Sequence, residues 1–195
     1  MYTMISSPSR PPRAAAAPLL SLSRPCQSQA GFTLLESLVV ATIIALVASI
    51  GLPSWFGFLD QRRVNMTQDM IYQALRSTQW EASQRRQQQQ FSLRERDGTL
   101  EWASHPASVA SVQVTHWTPL IEGVGLAGED NTLPKNSGIY YARFDHMGNT
   151  TNLGRITVVG AGGRLSHRCV VVSTMLGAMR RGRGHAKIRD RRYCY

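Results

Sequence analysis

The feature that most constrains this chain is one unbroken apolar run near its N-terminus. The run extends from Phe32 to Leu52, and the charge of Glu36 is the only one in it. A helix rises about 1.5 Å per residue, so a run of this length spans roughly the 30 Å hydrocarbon core of a bilayer. No second run of comparable length follows in the sequence, which excludes a polytopic membrane protein.

The segment before the run, residues 1–31, has the composition of a leader. It contains Arg10, Arg13 and Arg24 but no acidic residue, and it is rich in proline and alanine. A basic, acid-free segment ahead of an apolar run is typical of the cytoplasmic side of a membrane insertion signal. A disordered tail, or a start codon assigned too far upstream, are the alternatives.

The carboxylate of Glu36 is unusual because it lies inside an apolar run. An ionised side chain at the centre of a membrane helix costs about 2.5–3.5 kcal/mol on insertion scales, and less near a helix end. We therefore expect a cationic partner. A free amine at a newly cut N-terminus close to Glu36 would be one.

The stretch GFTLLESLVV, from Gly31 to Val40, resembles the signature of type IV pilins and pseudopilins. The resemblance implies that a prepilin peptidase cuts between Gly31 and Phe32 and methylates the new N-terminal residue, Phe32. It also implies that Glu36 meets the N-terminal amine of a neighbouring subunit during assembly. The implied partners are the peptidase, other pilins or pseudopilins, and the inner membrane, with the head in the periplasm or outside the cell.

An ordinary secretory signal is the competing interpretation of the same run. It would be cut by a small-residue rule near Val47-Ala48-Ser49. That interpretation leaves Gly31-Phe32 and Glu36 unexplained, and the run is long for a secretory signal.

Beyond the apolar run, apolar and small residues recur at helical spacing. This pattern predicts one helix over residues 32–90, of which 32–52 cross the membrane and the remainder packs on a head. The tract Gln87–Gln90 is interpreted as the solvated end of that helix. The residues of the stripe are Val64, Ile71, Leu75, Thr78 and Ala82.

Residues 91–195 have the pattern of a β-rich head. Asp97-Gly98 lies between two strand-like runs and supplies the positive φ values that a type I′ hairpin turn requires. A helix followed by consecutive strands predicts an α+β fold with an antiparallel sheet. Strands are expected at 91–96, 99–103, 112–116, 139–144, 155–160 and 164–173, with a loop at 123–137 and a turn at Gly162-Gly163.

Three head segments, 144–148, 154–158 and 169–173, are similar to the heads of H-type pseudopilins of type II secretion and of FimT-type minor pilins. Such proteins often carry a Gly-Arg-x-Arg motif near the last strand. Here Ala178 stands where the first arginine of that motif would be, and Arg-Gly-Arg follows at 181–183.

The chain has three cysteines, and Cys26 would leave with the leader. A head beyond the inner membrane meets an oxidising compartment, so we expect a disulfide between Cys169 and Cys194. In the chain-entropy model such a bridge contributes about 3 kcal/mol. Two unpaired thiols are the alternative.

The last sixteen residues carry a net charge of +6. Closely spaced arginines suit phosphate groups, and FimT-type proteins are associated with DNA capture in natural transformation, so DNA is one expected partner. A solvated tail, or a contact with anionic lipid or an acidic subunit, are the alternatives. The basic residues are Arg180, Arg181, Arg183, Lys187, Arg189, Arg191 and Arg192.

No catalytic pattern is visible in the sequence. The five histidines are scattered, and neither histidines nor cysteines have the spacing of metal ligands. We expect neither a metal nor a cofactor, and we expect the chain to be the substrate of a processing enzyme rather than an enzyme.

Overall fold

The computed structural model of the chain describes residues 31–161, 166–189 and 192–195, with the backbone alone at 50–53, 186–189 and 192. Helix α1 covers Leu34–Arg85. The strands within the described ranges are β1 (Gln89–Arg96), β2 (Thr99–Pro106), β3 (Thr118–Pro119), β4 (Gly125–Leu126), β5 (Lys135–Asn136), β6 (Ile139–Phe144), β7 (Gly154–Val159), β8 (Arg168–Val172), β9 (Met179–Arg189) and β10 (Arg192–Cys194).

In the part of the chain that the structure describes, the strands form two five-stranded sheets. The first has the order β3-β2-β1-β6-β5 and the second the order β10-β9-β8-β7-β4. Every paired neighbour is antiparallel. The predicted class, α+β with a long N-terminal helix on antiparallel strands, is confirmed.

The buried stripe of α1 fills the core of the head. Val64, Ile71, Leu75, Thr78 and Ala82 are each no more than 1% exposed, which confirms the stripe predicted from spacing. The apolar members of this stripe belong to one cluster with residues of both sheets. The helix therefore stabilises the sheets by apolar burial, which contributes about 25 cal/mol per Å² removed from water.

The predicted extension of the helix to residue 90 is wrong. α1 ends at Arg85, and Arg86 has a φ of 49°. Gln89 and Gln90 belong to β1 and are 1% and 3% exposed, so they are not a solvated helix end. The side chain of Gln90 donates to the hydroxyls of Ser92 and Ser111. Because this network satisfies its amide, a polar residue that normally favours a surface is stable inside the head.

The first predicted hairpin is confirmed. β1 and β2 pair antiparallel from Gln89 opposite Pro106 to Arg96 opposite Thr99. The two connecting residues, Asp97 and Gly98, have φ values of 51° and 76°. Positive φ at both positions is what a type I′ turn requires.

The strand predicted at 112–116 is wrong. Ser111–Gln113 form a short 3-10 turn, and residues 114–117 are irregular. Val112 is 65% exposed, so its alternation with Val114 reflects no buried face. The indole of Trp117 donates to the carbonyl of Val114 at 2.8 Å and closes the segment locally.

The predicted loop at 123–137 contains the two-residue strands β4 and β5, and the predicted turn at Gly162-Gly163 lies outside the described residues.

The basic C-terminal segment is not a tail. Residues 179–183 pair with β8, and the strand continues to Arg189. Pairing with β8 gives the backbone of residues 179–183 ladder hydrogen bonds, whereas the backbone of a solvated tail would bond to water.

A buried ion pair joins the loop before β5 to β7 and to the C-terminus. The guanidinium of Arg155 lies 2.7 Å from the carboxylate of Asp130, and the two side chains are 8% and 3% exposed. Arg155 also donates to the backbone carbonyl of Cys194 at 3.2 Å. The hydroxyl of Thr157 donates to the same carboxylate at 3.1 Å. The pair therefore holds three segments that are distant in sequence.

We expect Asp130→Asn to destabilise the head by about 3–5 kcal/mol, because the variant removes the carboxylate charge that lies 2.7 Å from a buried guanidinium. The measurement is urea unfolding of a fragment that begins at Ser54 and retains every residue of the buried cluster. Arg85→Gln is the control, since it removes only an exposed pair with Glu81. That change should cost about 0.5 kcal/mol or less. Equal losses in the two variants would contradict the role given to the buried pair.

Candidate functional site

The predicted cleavage site lies outside the helix. Gly31, Phe32 and Thr33 have no regular secondary structure and are exposed, and α1 begins at Leu34. The side chain of Phe32 is 77% exposed. The bond between Gly31 and Phe32 therefore lies outside the helix and at an exposed position, where a peptidase could reach it.

Thr33 caps the N-terminus of α1. Its hydroxyl oxygen accepts a hydrogen bond from the backbone N–H of Glu36 at 3.2 Å. A Thr followed three residues later by Glu is the sequence pattern of a capping box, of which only the bond to the threonine hydroxyl forms among the described residues. Glu36 also lies in the first turn of α1, where the partial positive charge of the helix end stabilises a carboxylate.

The carboxylate of Glu36 has no hydrogen-bond or ion-pair partner among the described residues, and the residue is exposed. Local helix capping therefore uses the backbone of Glu36 and leaves its side chain available. Such a carboxylate in an apolar segment is suited to a cation supplied by another chain.

The second candidate site is the helix-facing side of β9. Arg181 forms an ion pair with Asp69 of α1, and its guanidinium lies 5.2 Å from the ring centroid of Tyr72. Arg183 lies opposite Arg168 in the ladder between β8 and β9. Arg168 donates to the side-chain oxygen of Asn65 at 2.6 Å. The strand thus presents its arginines along the helix.

Two like charges meet where Arg168 and Arg183 face each other. Burial lowers the pKa of the Arg168 guanidinium, and the neighbouring charge of Arg183 lowers it further. The side chain of Arg183 has no hydrogen-bond or ion-pair partner within the described ranges. An anion bound here would relieve the repulsion between the two guanidinium groups.

These arginines line a groove of about 780 Å³ between α1 and the second sheet. Polar side chains of α1 form one wall, and Asp69 is the acidic residue among them. Tyr195 lies at the other wall, stacked on His185 with ring centroids 3.9 Å apart. The groove is therefore polar, predominantly basic and bordered by an aromatic pair.

A disulfide between Cys169 and Cys194 joins β8 to β10 within the second sheet; the Cα atoms are 6.1 Å apart. Gly182 lies opposite Cys169 in the ladder, and a Cβ at Gly182 would come within 2.7 Å of the Cys169 sulfur. The glycine between Arg181 and Arg183 is thus required by the bridge. The covalent link and the glycine together fix the strand that carries the arginines.

The predicted basic residues are distributed unequally. Arg180, Arg181 and Arg183 are exposed on β9. The backbone of Lys187, Arg189 and Arg192 lies in β9 and β10, while their side chains and the whole of Arg191 lie outside the described residues.

Sequence reasoning missed Arg168, Asp69 and the stack of His185 on Tyr195. The register of β8 against β9 brings Arg168 to Arg183, and no local pattern encodes that register. His185 and Tyr195 do have a sequence signal, since each lies close to one of the predicted basic residues. Among the described residues, no group of three His, Cys, Asp or Glu side chains could hold a metal ion.

Comparison with known proteins gives one family match. Residues 26–52 match the model described as the prokaryotic N-terminal methylation motif. A search of curated proteins gives no match. The crystal structure of the type IV minor pilin FimU of Pseudomonas aeruginosa is similar, with 11% identity, a TM-score of 0.45, and coverage of 63% of this chain and 90% of that chain.

Proposed function

We propose that this type IV pilin-like protein is a minor pilin or pseudopilin subunit of a type IV pilus or type II secretion machine. The observation that carries the proposal is the N-terminal methylation motif, which includes Gly31, Phe32 and Glu36. The motif continues into α1, which is long and apolar enough to cross a membrane. These features are consistent with a membrane-anchored, single-pass protein.

The proposed role is structural and not enzymatic. A prepilin peptidase removes the leader at the exposed bond after Gly31 and methylates Phe32. The free carboxylate of Glu36 then pairs with the N-terminal amine of a neighbouring subunit, so that two costly charges in an apolar environment neutralise each other. The subunit thereby joins other pilins or pseudopilins and serves protein secretion or pilus biogenesis.

The processing step predicts a mature chain that begins at N-methylated Phe32. Mass spectrometry of the N-terminal peptide from the native host checks both the cut and the added methyl group. Gly31→Ala should leave the leader in place, while Ala30→Gly on the other side of Gly31 is the matched control and should be cut normally. A mature chain that begins near Ile50 would instead support the secretory-signal interpretation.

The pairing step predicts that Glu36→Val still inserts into the membrane but no longer joins the filament. Insertion should be at least as efficient as in the wild type, because the variant removes a charge from the apolar run. The measurement is co-purification with the other pilins of the machine. Thr42→Val is the control, since Thr42 bonds only the carbonyl of Leu38 in its own helix. Normal incorporation of Glu36→Val would contradict the pairing.

A second candidate function is DNA binding by the basic end of the head. The observation that favours it is the row of arginines on β9 beside the stacked rings of His185 and Tyr195. Guanidinium groups bind phosphate oxygens, and an aromatic ring can stack on a base. Such a subunit would act as a pilus-associated DNA receptor in natural transformation.

This second function predicts that the head from Ser54 binds DNA with little sequence preference. The affinity should fall with salt by a log–log slope of roughly −0.7 to −0.9 per phosphate contact. A gel-shift titration at two salt concentrations measures the slope. The triple variant Arg181→Gln, Arg183→Gln and Arg189→Gln should flatten it. Arg86→Gln, Arg96→Gln and Lys135→Gln, which remove the same charge elsewhere, should not. Absent binding by the wild-type head at low salt would leave only the structural role.

A further inference from the structure

The direction in which β9 runs along α1 determines which end of the head carries the basic strand. Gln79 of α1 donates to the carbonyl of Gly177 at 3.3 Å, and Gln68 donates to the carbonyl of Gly182 at 2.7 Å. Eleven helical residues rise about 16.5 Å. Five extended residues span about the same distance. The chain from Gly177 to Gly182 therefore runs antiparallel to α1, towards the end of the helix that enters the apolar run.

β9 continues beyond Gly182. From Gly182 to Arg189 it extends seven more residues, or about 23 Å. Along α1, about 23 Å corresponds to about fifteen residues. Counted from Gln68 towards the N-terminus of the helix, this length reaches about residue 53, next to the end of the apolar run. The basic end of the chain is thus directed at the level where the helix leaves the apolar run, and not away from it.

An exposed aromatic segment of α1 lies at that level. Trp55, Phe56 and Phe58 are 60%, 66% and 57% exposed. The head begins immediately afterwards, where Asp60 accepts a hydrogen bond from the backbone of Ala161 at 3.0 Å. Because successive helical residues are about 100° apart, the three rings cover about 160° of the helix circumference.

This segment has the properties of a membrane interface. Aromatic side chains are enriched where a helix passes from hydrocarbon to headgroups. A protein partner would cover one side of the helix, whereas rings spread over nearly half of its circumference suit a surrounding lipid layer. Arg62 and Arg63, both exposed, follow within two turns.

We propose that the membrane-proximal side of the head docks on the surface of a bilayer and binds the phosphates of anionic phospholipids. The rings of Trp55, Phe56 and Phe58 lie in the headgroup layer. The groove at Arg168 and Arg183 opens three to eleven residues beyond Phe58 along α1, so an anionic headgroup reaches the two opposed guanidinium groups. The strand from Arg183 to Arg189 lies over the same lipid surface. This proposal requires that α1 spans the membrane, but it does not require cleavage or assembly.

The first test measures the depth of Trp55 in the full chain. The protein is reconstituted in vesicles that contain lipids with a spin label at the headgroup or deep in the acyl chain. The headgroup label should quench tryptophan fluorescence, and Trp55→Phe should abolish most of that quenching. Trp80→Phe is the matched control, because Trp80 is 66% exposed on the same helix but about 37 Å further from the membrane. Equal quenching in the two variants would overturn the proposal.

The second test measures amide hydrogen exchange of residues 183–195 in the full chain in lipid nanodiscs. Exchange should be about tenfold slower in discs with phosphatidylglycerol than in discs of phosphatidylcholine alone, because each basic group near an anionic surface adds to binding. The variant Arg183→Gln, Arg189→Gln and Arg191→Gln should lose the difference. The control variant Arg86→Gln, Arg96→Gln and Lys135→Gln should retain it.

Three results would overturn the proposed binding of the basic strand to lipid phosphates. Equal exchange in neutral and anionic discs would show that the basic strand does not bind lipid phosphates. Protection in neutral discs that appears only after a single-stranded oligonucleotide is added would assign the surface to nucleic acid. Slower exchange in response to free inorganic phosphate alone, without an effect of anionic lipid, would identify a small-anion site and would also contradict docking.

Discussion

The burial of one helical stripe is the constraint on which the rest of the head depends. Val64, Ile71 and Leu75 contribute to a single cluster with strands of both sheets, so neither sheet has a complete core without α1. The helix cannot shift along its axis without exposing this stripe to water. The part of α1 that carries the stripe, from Val64 to Ala82, is therefore fixed relative to the strands.

Hydrogen bonds fix the position of α1 against the second sheet more closely than apolar packing alone. Gln68 donates to the carbonyls of Cys169 and Gly182, and Gln79 donates to the carbonyls of Gly148 and Gly177. Apolar packing tolerates small shifts, but a side-chain amide that bonds two carbonyls does not, because an unsatisfied buried polar group is costly. The disulfide at Cys169 then joins the end of the chain to the strand that Gln68 holds.

Much of this architecture could be predicted from the sequence because its signals are local. The stripe has helical spacing, and Asp97-Gly98 is a turn with a specific backbone requirement. The errors arose where a distant partner decides the outcome. Gln90 is buried because Ser92 and Ser111 satisfy its amide, and residues after Met179 form a strand because β8 lies beside them. The pairing of Arg168 with Arg183 depends on that same register. The cleavage and assembly residues were identified by a local motif, and their chemistry stays a prediction.

Because β9 runs antiparallel to α1, removal of the subunit from the bilayer has an electrostatic cost as well as a hydrophobic one. In the proposed orientation, a subunit drawn into a filament withdraws its apolar span and simultaneously separates a basic strand from lipid phosphates. The work of extraction then increases with the anionic lipid content of the membrane and decreases with ionic strength. Once extracted, the same arginines carry only mobile counterions, which a polyanion can displace. The lipid would thus act as a competitor that shields this surface until the subunit has left the membrane.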